Sequence, residues 1–230
     1  MVTFEERIGE VLDRISQAAA RSGRKRGDVT LVAVSKTKPL DMIIRAVQTG
    51  LITDLGENRV QEGMEKIPAW PAGLPPVKWH LIGQLQRNKA RKALELFHSI
   101  QSVDSVKLAQ RLQDIAAELG VRRPVLLEVN TSLEESKSGC ALADAPIIAD
   151  ALVQCGRLDW QGLMTVGPLT DDKDQIRRSF AALRDCAEGL RKRTGLSLPV
   201  LSMGMSGDYE LAIEEGSTMV RVGTAIFGAR

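Results

Sequence analysis

Short apolar segments alternate with segments of helical periodicity eight times along this chain. The predicted strands cover residues 31–35, 51–56, 77–82, 99–103, 125–129, 160–166, 200–203 and 219–222. Repeated strand–helix units are typical of parallel strands joined by crossover helices, and eight of them predict an α/β fold of the (β/α)8 TIM-barrel type. An open, doubly wound sheet would show the same alternation and is the alternative.

One further helix is predicted ahead of the first strand. Thr3 and Glu6 have the spacing of a capping box, and apolar residues follow at helical intervals from Phe4 onward. The proline-rich stretch 68–76 fits a loop within the barrel, and no long polar linker divides the chain. Residues 1–230 are therefore expected to form a single barrel domain with an extra N-terminal helix.

Charge and cysteine content exclude several classes of protein. The net formal charge is +2, which provides no field of the kind that drives non-specific binding to nucleic acid. Glu5, Glu6 and Arg7 stand where a signal peptide needs an apolar core, and no apolar stretch reaches the ~18 residues of a membrane span. We therefore expect a cytoplasmic protein. Three scattered cysteines and two histidines favour neither a disulfide framework nor a metal site.

Lys36 ends the first predicted strand and is followed by Lys38 and the start of a helix. Burial, a like charge and the positive end of a helix would all disfavour its ammonium form. A free lysine amine is the nucleophile that forms an imine with an aldehyde. The alternative is a lysine at the barrel rim that extends to solvent.

Glycines and hydroxyl groups follow the last two predicted strands. Gly204, Ser206 and Gly207 come after the seventh strand, and Gly223 and Thr224 after the eighth. Barrels frequently bind phosphate with these two loops, where glycine allows a ligand to approach the backbone. The pair of loops favours a phosphate site, with ordinary turn formation as the alternative.

An amine after the first strand and a phosphate site after the last two suggest a phosphorylated aldehyde, and pyridoxal 5′-phosphate (PLP) fits that description. Arg221, in the eighth strand, would then be the polar residue nearest the ring nitrogen. An arginine keeps its proton and so weakens the ring as an electron sink. The alternative for Arg221 is an ion pair with Glu214, Glu215 or another acid inside the barrel. His80 either faces the cofactor or fills the barrel.

Eight stretches occur in the order expected for one known family. They read AVSKTKP, GENRVQE, WHLIGQLQRNK, SVDS, EVNTSLEESKSG, GLMTVGP, LSMGMSGD and STMVRVGTAIFGAR. On these motifs the chain resembles, along nearly its whole length, the pyridoxal-phosphate homeostasis proteins, a family similar to the barrel domain of bacterial alanine racemase. Arg59 departs from the pattern, because tyrosine is more usual at that position.

The resemblance implies a monomeric barrel that carries PLP as a Schiff base on Lys36 and maintains intracellular PLP without an established catalytic reaction. It implies that Asn58 lies near the ring and that Arg221 contacts the ring nitrogen. The residues implied to hold the phosphate are Ser206, Gly207, Gly223 and Thr224. Implied partners are PLP and PLP-dependent apoenzymes. Lys137 either takes part in cofactor handling or is a mobile surface charge.

The alternative function is that of a PLP-dependent amino-acid racemase or lyase, with Lys36 serving as imine and base. Proton transfer on both faces of a substrate requires two positioned acid–base groups. The sequence ends soon after the eighth strand, so we expect it to lack the second domain that supplies the opposite-face group in racemases of similar barrel type. The sole tyrosine, Tyr209, lies behind the predicted phosphate loop. These features favour a carrier without turnover.

Overall fold

Eight parallel strands close into a barrel in sequence order, so the barrel prediction is confirmed and the open sheet is excluded. The structure is a computed structural model that describes residues 2–134 and 136–228. Strand β1 pairs with both β2 and β8, with Val32 in register with Asp54 on one side and with Arg221 on the other. The first and last strands of the chain are therefore neighbours in the barrel wall.

The elements alternate regularly around the barrel. The strands are β1 (Thr30–Val34), β2 (Asp54–Glu57), β3 (Lys78–Leu81), β4 (Ser99–Val103), β5 (Arg123–Glu128), β6 (Leu158–Met164), β7 (Val200–Ser202) and β8 (Met219–Val222). The helices are α1 (Phe4–Arg21), α2 (Leu40–Val47), α3 (Val60–Lys66), α4 (Ala90–Leu96), α5 (Val106–Leu119), α6 (Ala145–Val153), α7 (Lys173–Thr194), α8 (Tyr209–Glu214) and α9 (Thr224–Phe227). Short 3-10 turns cover Arg26–Asp28 and Arg87–Lys89.

Helix α1 begins at the predicted capping box. The Glu6 amide donates to Thr3 Oγ at 3.1 Å, and the Thr3 amide donates to Glu6 Oε2 at 2.7 Å, so two amides that the helix cannot satisfy are paired. The face of α1 that carries Ile8, Val11 and Ile15 is buried, and the helix packs beside α8 and α9. The extra N-terminal helix is thus confirmed.

Several predicted boundaries are wrong by two or three residues. Strand β2 starts at Asp54 and not at residue 51, because Leu51 and Thr53 are exposed. Strands β5 and β6 begin at Arg123 and Leu158, each two residues before its predicted start, because these two residues are in register with each other. Helix α9 was not predicted, because four residues are too few to show a helical period.

The barrel interior carries polar side chains that hydrogen-bond to one another. Ser202 on β7 hydrogen-bonds to Gln101 on β4, and these strands are not neighbours, so the bond must cross the interior. Arg221 on β8 similarly reaches past β7 to the Thr165 carbonyl, which follows β6. The interior is therefore hydrogen-bonded across its width.

The structure shows no features of a membrane span or of a metal site within the residues it describes. In ranges 2–134 and 136–228 no helix is long and apolar enough to cross a bilayer. The same ranges contain no group of three or more His, Cys, Asp and Glu side chains arranged to hold a metal ion.

Candidate functional site

Lys36 lies just beyond the carboxyl end of β1 and is half-buried. The residue before it is fixed by three hydrogen bonds. The Ser35 amide donates to the Gly56 carbonyl at 3.0 Å, its hydroxyl donates to Glu57 Oε1 at 2.7 Å, and its carbonyl accepts from Lys66 Nζ at 2.9 Å. The main chain that carries Lys36 is therefore held rigidly.

A buried ion pair supports this segment from outside the barrel. Lys66 Nζ lies 2.8 Å from Glu57 Oε1 and 3.2 Å from Glu62 Oε2, and the Glu57 side chain is fully buried. Glu62 Oε2 also accepts from the Thr37 amide at 2.6 Å, at a residue whose φ of +62° is unfavourable for a β-branched side chain. We call Glu57, Glu62 and Lys66 together the clamp. The sequence prediction missed it, although the GENRVQE stretch contains both acids.

The two loops predicted to bind phosphate lie together. The Gly223 amide donates to Ser206 Oγ at 3.2 Å, which joins the loop after β8 to the loop after β7. A Cβ atom on Gly223 would lie 3.1 Å from the carbonyl oxygen of Val34, two residues before Lys36. Both loops therefore adjoin the end of β1, and a side chain at Gly223 would make a tight contact with the backbone there.

The loop after β7 is a tight turn that contains two glycines. The Met205 amide donates to Asp208 Oδ1 at 2.5 Å, which closes the turn. Gly204 has a φ of +99°, and a Cβ there would meet Tyr209 Cα at 2.8 Å. Within the described residues the amides of Ser206 and Gly207 donate no hydrogen bond. Together with the exposed Thr224, they supply donors that an anion could use.

Arg221 is buried inside the barrel just before the eighth-strand loop. Its Nη1 donates to Ser202 Oγ at 2.6 Å, and its Nη2 donates to the Thr165 carbonyl at 2.7 Å. Burial lowers the pKa of this guanidinium to about 10, so it still carries its charge at neutral pH.

Arg221 forms no ion pair with Glu214 or Glu215, two of the acids considered as alternative partners. Glu214 pairs with Arg177 and Arg21, while Glu215 pairs with Arg177 and Arg184, all at the outer helical layer. The two hydrogen bonds of Arg221 go to neutral oxygens inside the barrel, and the guanidinium has five N–H groups, which leaves donors for a further acceptor.

Glu128 is a buried acid at the carboxyl end of β5 that the sequence prediction missed. It is 3% exposed, and its Oε2 has no hydrogen-bond partner within the described residues. Burial raises the pKa of this carboxyl to about 7, with a smaller raising effect from Asp104 and an opposing one from Arg221. The only sequence signal was its place in the EVNTSLEESKSG stretch.

Asn58 and Lys137 lie in the loops around the same end of the barrel. Asn58 follows β2 and is half-buried, and a Cβ on Gly83 would lie 2.3 Å from its carbonyl oxygen, so the loop after β3 rests on it. Lys137 Nζ donates to the Gly167 carbonyl at 2.6 Å. A Cβ on Gly167 would in turn lie 3.1 Å from Asp208 Oδ2. Lys137 is therefore tethered beside the loop after β7.

His80 lies inside the barrel and not at the end that carries Lys36. Its Nε2 is 2.8 Å from Asp54 Oδ1, and its Nδ1 is 2.6 Å from Ser99 Oγ. Asp54 and Ser99 are the first residues of β2 and β4, so this cluster is at the amino end. Of the two interpretations of His80, the structure supports the one in which it fills the barrel.

Comparison with known proteins places this geometry in a family. Residues 10–230 match the family described as alanine racemase, N-terminal domain. The pyridoxal phosphate homeostasis protein of Pseudomonas aeruginosa is 45% identical over 230 residues, covering 100% of this chain and 97% of that protein. The protein of the same name from Escherichia coli K12 is 43% identical over 228 residues, covering 97% and 95% respectively.

A solved structure gives the same result. PipY of Synechococcus elongatus PCC7942, with PLP bound, superposes with a TM-score of 0.82 at 40% sequence identity, and the match covers 95% of this chain and 100% of that one. An alanine racemase of Clostridium difficile 630 shares the barrel at 15% identity with a TM-score of 0.76 over 98% of this chain and 57% of its own. The second likeness concerns the fold alone.

Proposed function

Because this chain belongs to the family of pyridoxal phosphate homeostasis proteins, we propose that it binds PLP at the carboxyl end of its barrel, as a Schiff base on Lys36. The observation that carries the proposal is the position of Gly223. Its amide donates to Ser206 Oγ on one side, and a Cβ built on it would lie 3.1 Å from the Val34 carbonyl oxygen on the other, so the predicted phosphate loops adjoin the end of the strand that precedes Lys36.

The residues present fit the groups of PLP. The Lys36 amine would add to the aldehyde carbon, and the carbonyl oxygen would leave as water. The hydroxyl groups and amides of the two loops would hold the phosphate, at Ser206, Gly207, Gly223 and Thr224. Bound PLP supplies an electrophilic carbon and an electron-withdrawing ring. Asn58, after β2, would lie beside that ring.

Arg221 would offer a hydrogen-bond donor to the ring nitrogen. Because an arginine retains its own proton, it leaves the nitrogen unprotonated and limits the withdrawal of electrons into the ring. Such an environment suits storage of PLP better than carbanion chemistry. The observed contacts of Arg221 leave N–H groups for this purpose, since two neutral oxygens use only part of its five donors.

We infer that the protein holds and releases PLP within the cytoplasm, as a monomer, without turning over amino acids. The relatives carry the name of homeostasis proteins. Tyr209 begins α8 and is 1% exposed, and the guanidinium carbon of Arg14, a residue of α1, lies 5.3 Å from the centre of its ring. The tyrosine is therefore packed among the outer helices and is not directed into the barrel mouth as an opposite-face acid. The partners that would accept PLP are PLP-dependent apoenzymes.

Titration of the purified protein with PLP and with pyridoxal tests the binding proposal. We expect a visible absorbance band with PLP, at a ratio near one per chain, and much weaker retention of pyridoxal, which lacks the phosphate. Equal affinity for the two aldehydes would contradict the phosphate site, and absence of any band would contradict the Schiff base.

A panel of single-enantiomer amino acids tests the absence of turnover. With PLP-loaded protein, we expect each enantiomer to keep its configuration and to yield no keto acid. Turnover that disappears in Lys36→Ala would replace the carrier by the racemase or lyase.

A further inference from the structure

A continuous row of polar side chains crosses the barrel interior from its amino end to Arg221. It begins at Asp54, continues through His80 and Gln101, and ends at Ser202, which accepts from the Arg221 guanidinium. Polar side chains are costly in a barrel core unless each is hydrogen-bonded, and in this row each of them is. A row of this kind fixes the position of its last member.

The hydrogen bonds of Gln101 give the row a direction. Its Nε2 lies 3.1 Å from Met219 Sδ and 3.4 Å from His80 Nδ1. A thioether sulfur can only accept, so the amide nitrogen must face Met219, and Oε1 faces Ser202 at 2.7 Å. The orientation of the Gln101 amide is therefore set by the structure around it.

That orientation determines what Ser202 can do. Its hydroxyl donates to Gln101 Oε1, so its lone pairs point towards Arg221, whose Nη1 donates at 2.6 Å. His80 continues the row: its Nδ1 lies 3.4 Å from Gln101 Nε2 and 2.6 Å from Ser99 Oγ, and its Nε2 lies 2.8 Å from Asp54 Oδ1.

The amino end of the row lines a cavity, away from the proposed PLP site. The volume of this cavity is about 230 Å³, and its lining includes Asp54, Lys78, His80, His98 and Gln101. Each polar side chain of the row has at least one partner within the protein. The other end of the row contacts Arg221.

We propose that His80 and Gln101 are positioning residues for Arg221, which they hold through Ser202 at the place where the PLP ring nitrogen would meet it. This inference rests on the proposed function, because it assigns the ring contact to Arg221. Neither residue touches the proposed cofactor position itself. The row fixes how far the guanidinium projects towards the carboxyl end, which a loosely packed arginine could vary.

Gln101→Met tests the proposal, since methionine has nearly the same length but cannot hydrogen-bond to Ser202 as an amide does. The matched control is Gln161→Met, because Gln161 lines the same cavity but donates to Asp159 and is outside the row. His80→Phe, which keeps a ring and loses both nitrogens, serves as a second variant if Gln101→Met fails to fold.

Crystal structures of the variants prepared without PLP give the first readout. We expect Gln101→Met to release the Arg221 guanidinium from Ser202, while Gln161→Met leaves it in place. An unmoved guanidinium in Gln101→Met and in His80→Phe would overturn the proposal, and this result does not depend on whether the protein binds PLP at all.

PLP binding gives the second readout. Gln101→Met should weaken PLP by about tenfold, the effect of one mispositioned charged hydrogen bond, and should shift the absorbance maximum of the bound cofactor. In an Arg221→Met background it should add less than about twofold, because residues that act through one another are not additive. Full additivity, or an unshifted spectrum with lowered thermal stability, would show a structural role only. A wild type without any PLP band would refute the proposed function and not the placement of Arg221.

Discussion

The two ends of the barrel differ in whether their polar groups have hydrogen-bond partners within the protein. At the amino end, Asp54, His80 and Ser99 are buried and satisfy one another's hydrogen bonds. At the carboxyl end, Glu128 Oε2 is buried without a partner, and the amides of Ser206 and Gly207 donate to nothing within the described residues. The amino end is complete as it stands, whereas the carboxyl end retains capacity for a ligand.

This difference has a physical meaning. An unpaired buried acceptor costs about 1–3 kcal/mol, so a fold keeps one only where something else offsets the cost. The paired groups at the amino end stabilise the barrel. The unpaired ones lie at the carboxyl end, which is the end that carries Lys36 and that we propose for PLP binding.

The largest expected effect is that of Lys36→Ala. It should abolish the visible PLP band and leave the circular dichroism spectrum unchanged, because a half-buried residue at the rim contributes little packing. Lys38→Ala is the matched control, since it removes the next lysine, whose Nζ donates to the Gly228 carbonyl, and should keep the band. A band that persists in Lys36→Ala would move the attachment to another lysine.

Breaking the clamp behind Lys36 should lower the free energy of unfolding. Lys66→Met leaves the buried Glu57 carboxyl without its cation, and such changes destabilise by up to about 3–5 kcal/mol. The loss is smaller where the carboxyl takes up a proton, because burial raises the pKa of Glu57 to about 7. Urea unfolding would measure this loss. Lys92→Met, which removes an exposed lysine paired with Glu95, should change the free energy of unfolding by less than about 1 kcal/mol. Equal losses of unfolding free energy in the two variants would show that the clamp adds nothing to stability.

Glu128 should make the protein less stable as the pH rises. Its folded-state pKa of about 7 lies above the ordinary value of 4.5, so between these limits the unfolded chain has already released a proton that the folded chain retains. At about 1.4 kcal/mol per pH unit, stability should fall by about 3 kcal/mol from pH 4.5 to 7.

Urea unfolding of the wild type and Glu128→Gln across that range isolates this contribution. The variant should have a flatter profile and should gain most, relative to the wild type, above pH 7. Parallel profiles would mean that the Glu128 carboxyl ionises as readily as an exposed one.

The smallest expected effect concerns the phosphate loops. Ser206→Ala should weaken PLP by about 10- to 100-fold, the range for loss of one hydrogen bond to a charged group, and should scarcely change pyridoxal binding. Thr194→Ala, at the far end of α7, should alter neither affinity. A Ser206→Ala variant that weakens PLP and pyridoxal equally would remove Ser206 from the phosphate site.

The sequence predicted the barrel well because each strand and helix carries its own local pattern. Buried strands read as apolar runs, and the capping box at Thr3 marks the start of α1. The errors fall where local pattern is weak. Strand β5 begins at Arg123 and Pro124, which are poor strand formers, and is set there by register with β6. Register is a property of the neighbouring strand and cannot be read from one segment.

The candidate site was only partly predictable for a similar reason. The carboxyl ends of the strands carry the functional residues of barrel proteins, and the loops that begin there contain Lys36, Ser206 and Gly223. The clamp of Glu57 with Lys66 and the row from His80 to Arg221 join residues that are far apart in sequence. Their partners are determined by the closed barrel, so the sequence showed the residues but not the contacts between them.

Reduction of the PLP-loaded protein with borohydride, followed by peptide mass mapping, identifies the lysine that carries the cofactor. Borohydride converts an imine into a stable amine, so the modified lysine can be identified. We expect one pyridoxyl group per chain, on the peptide that contains Lys36. Modification of Lys137 in its place, or of no lysine, would contradict it.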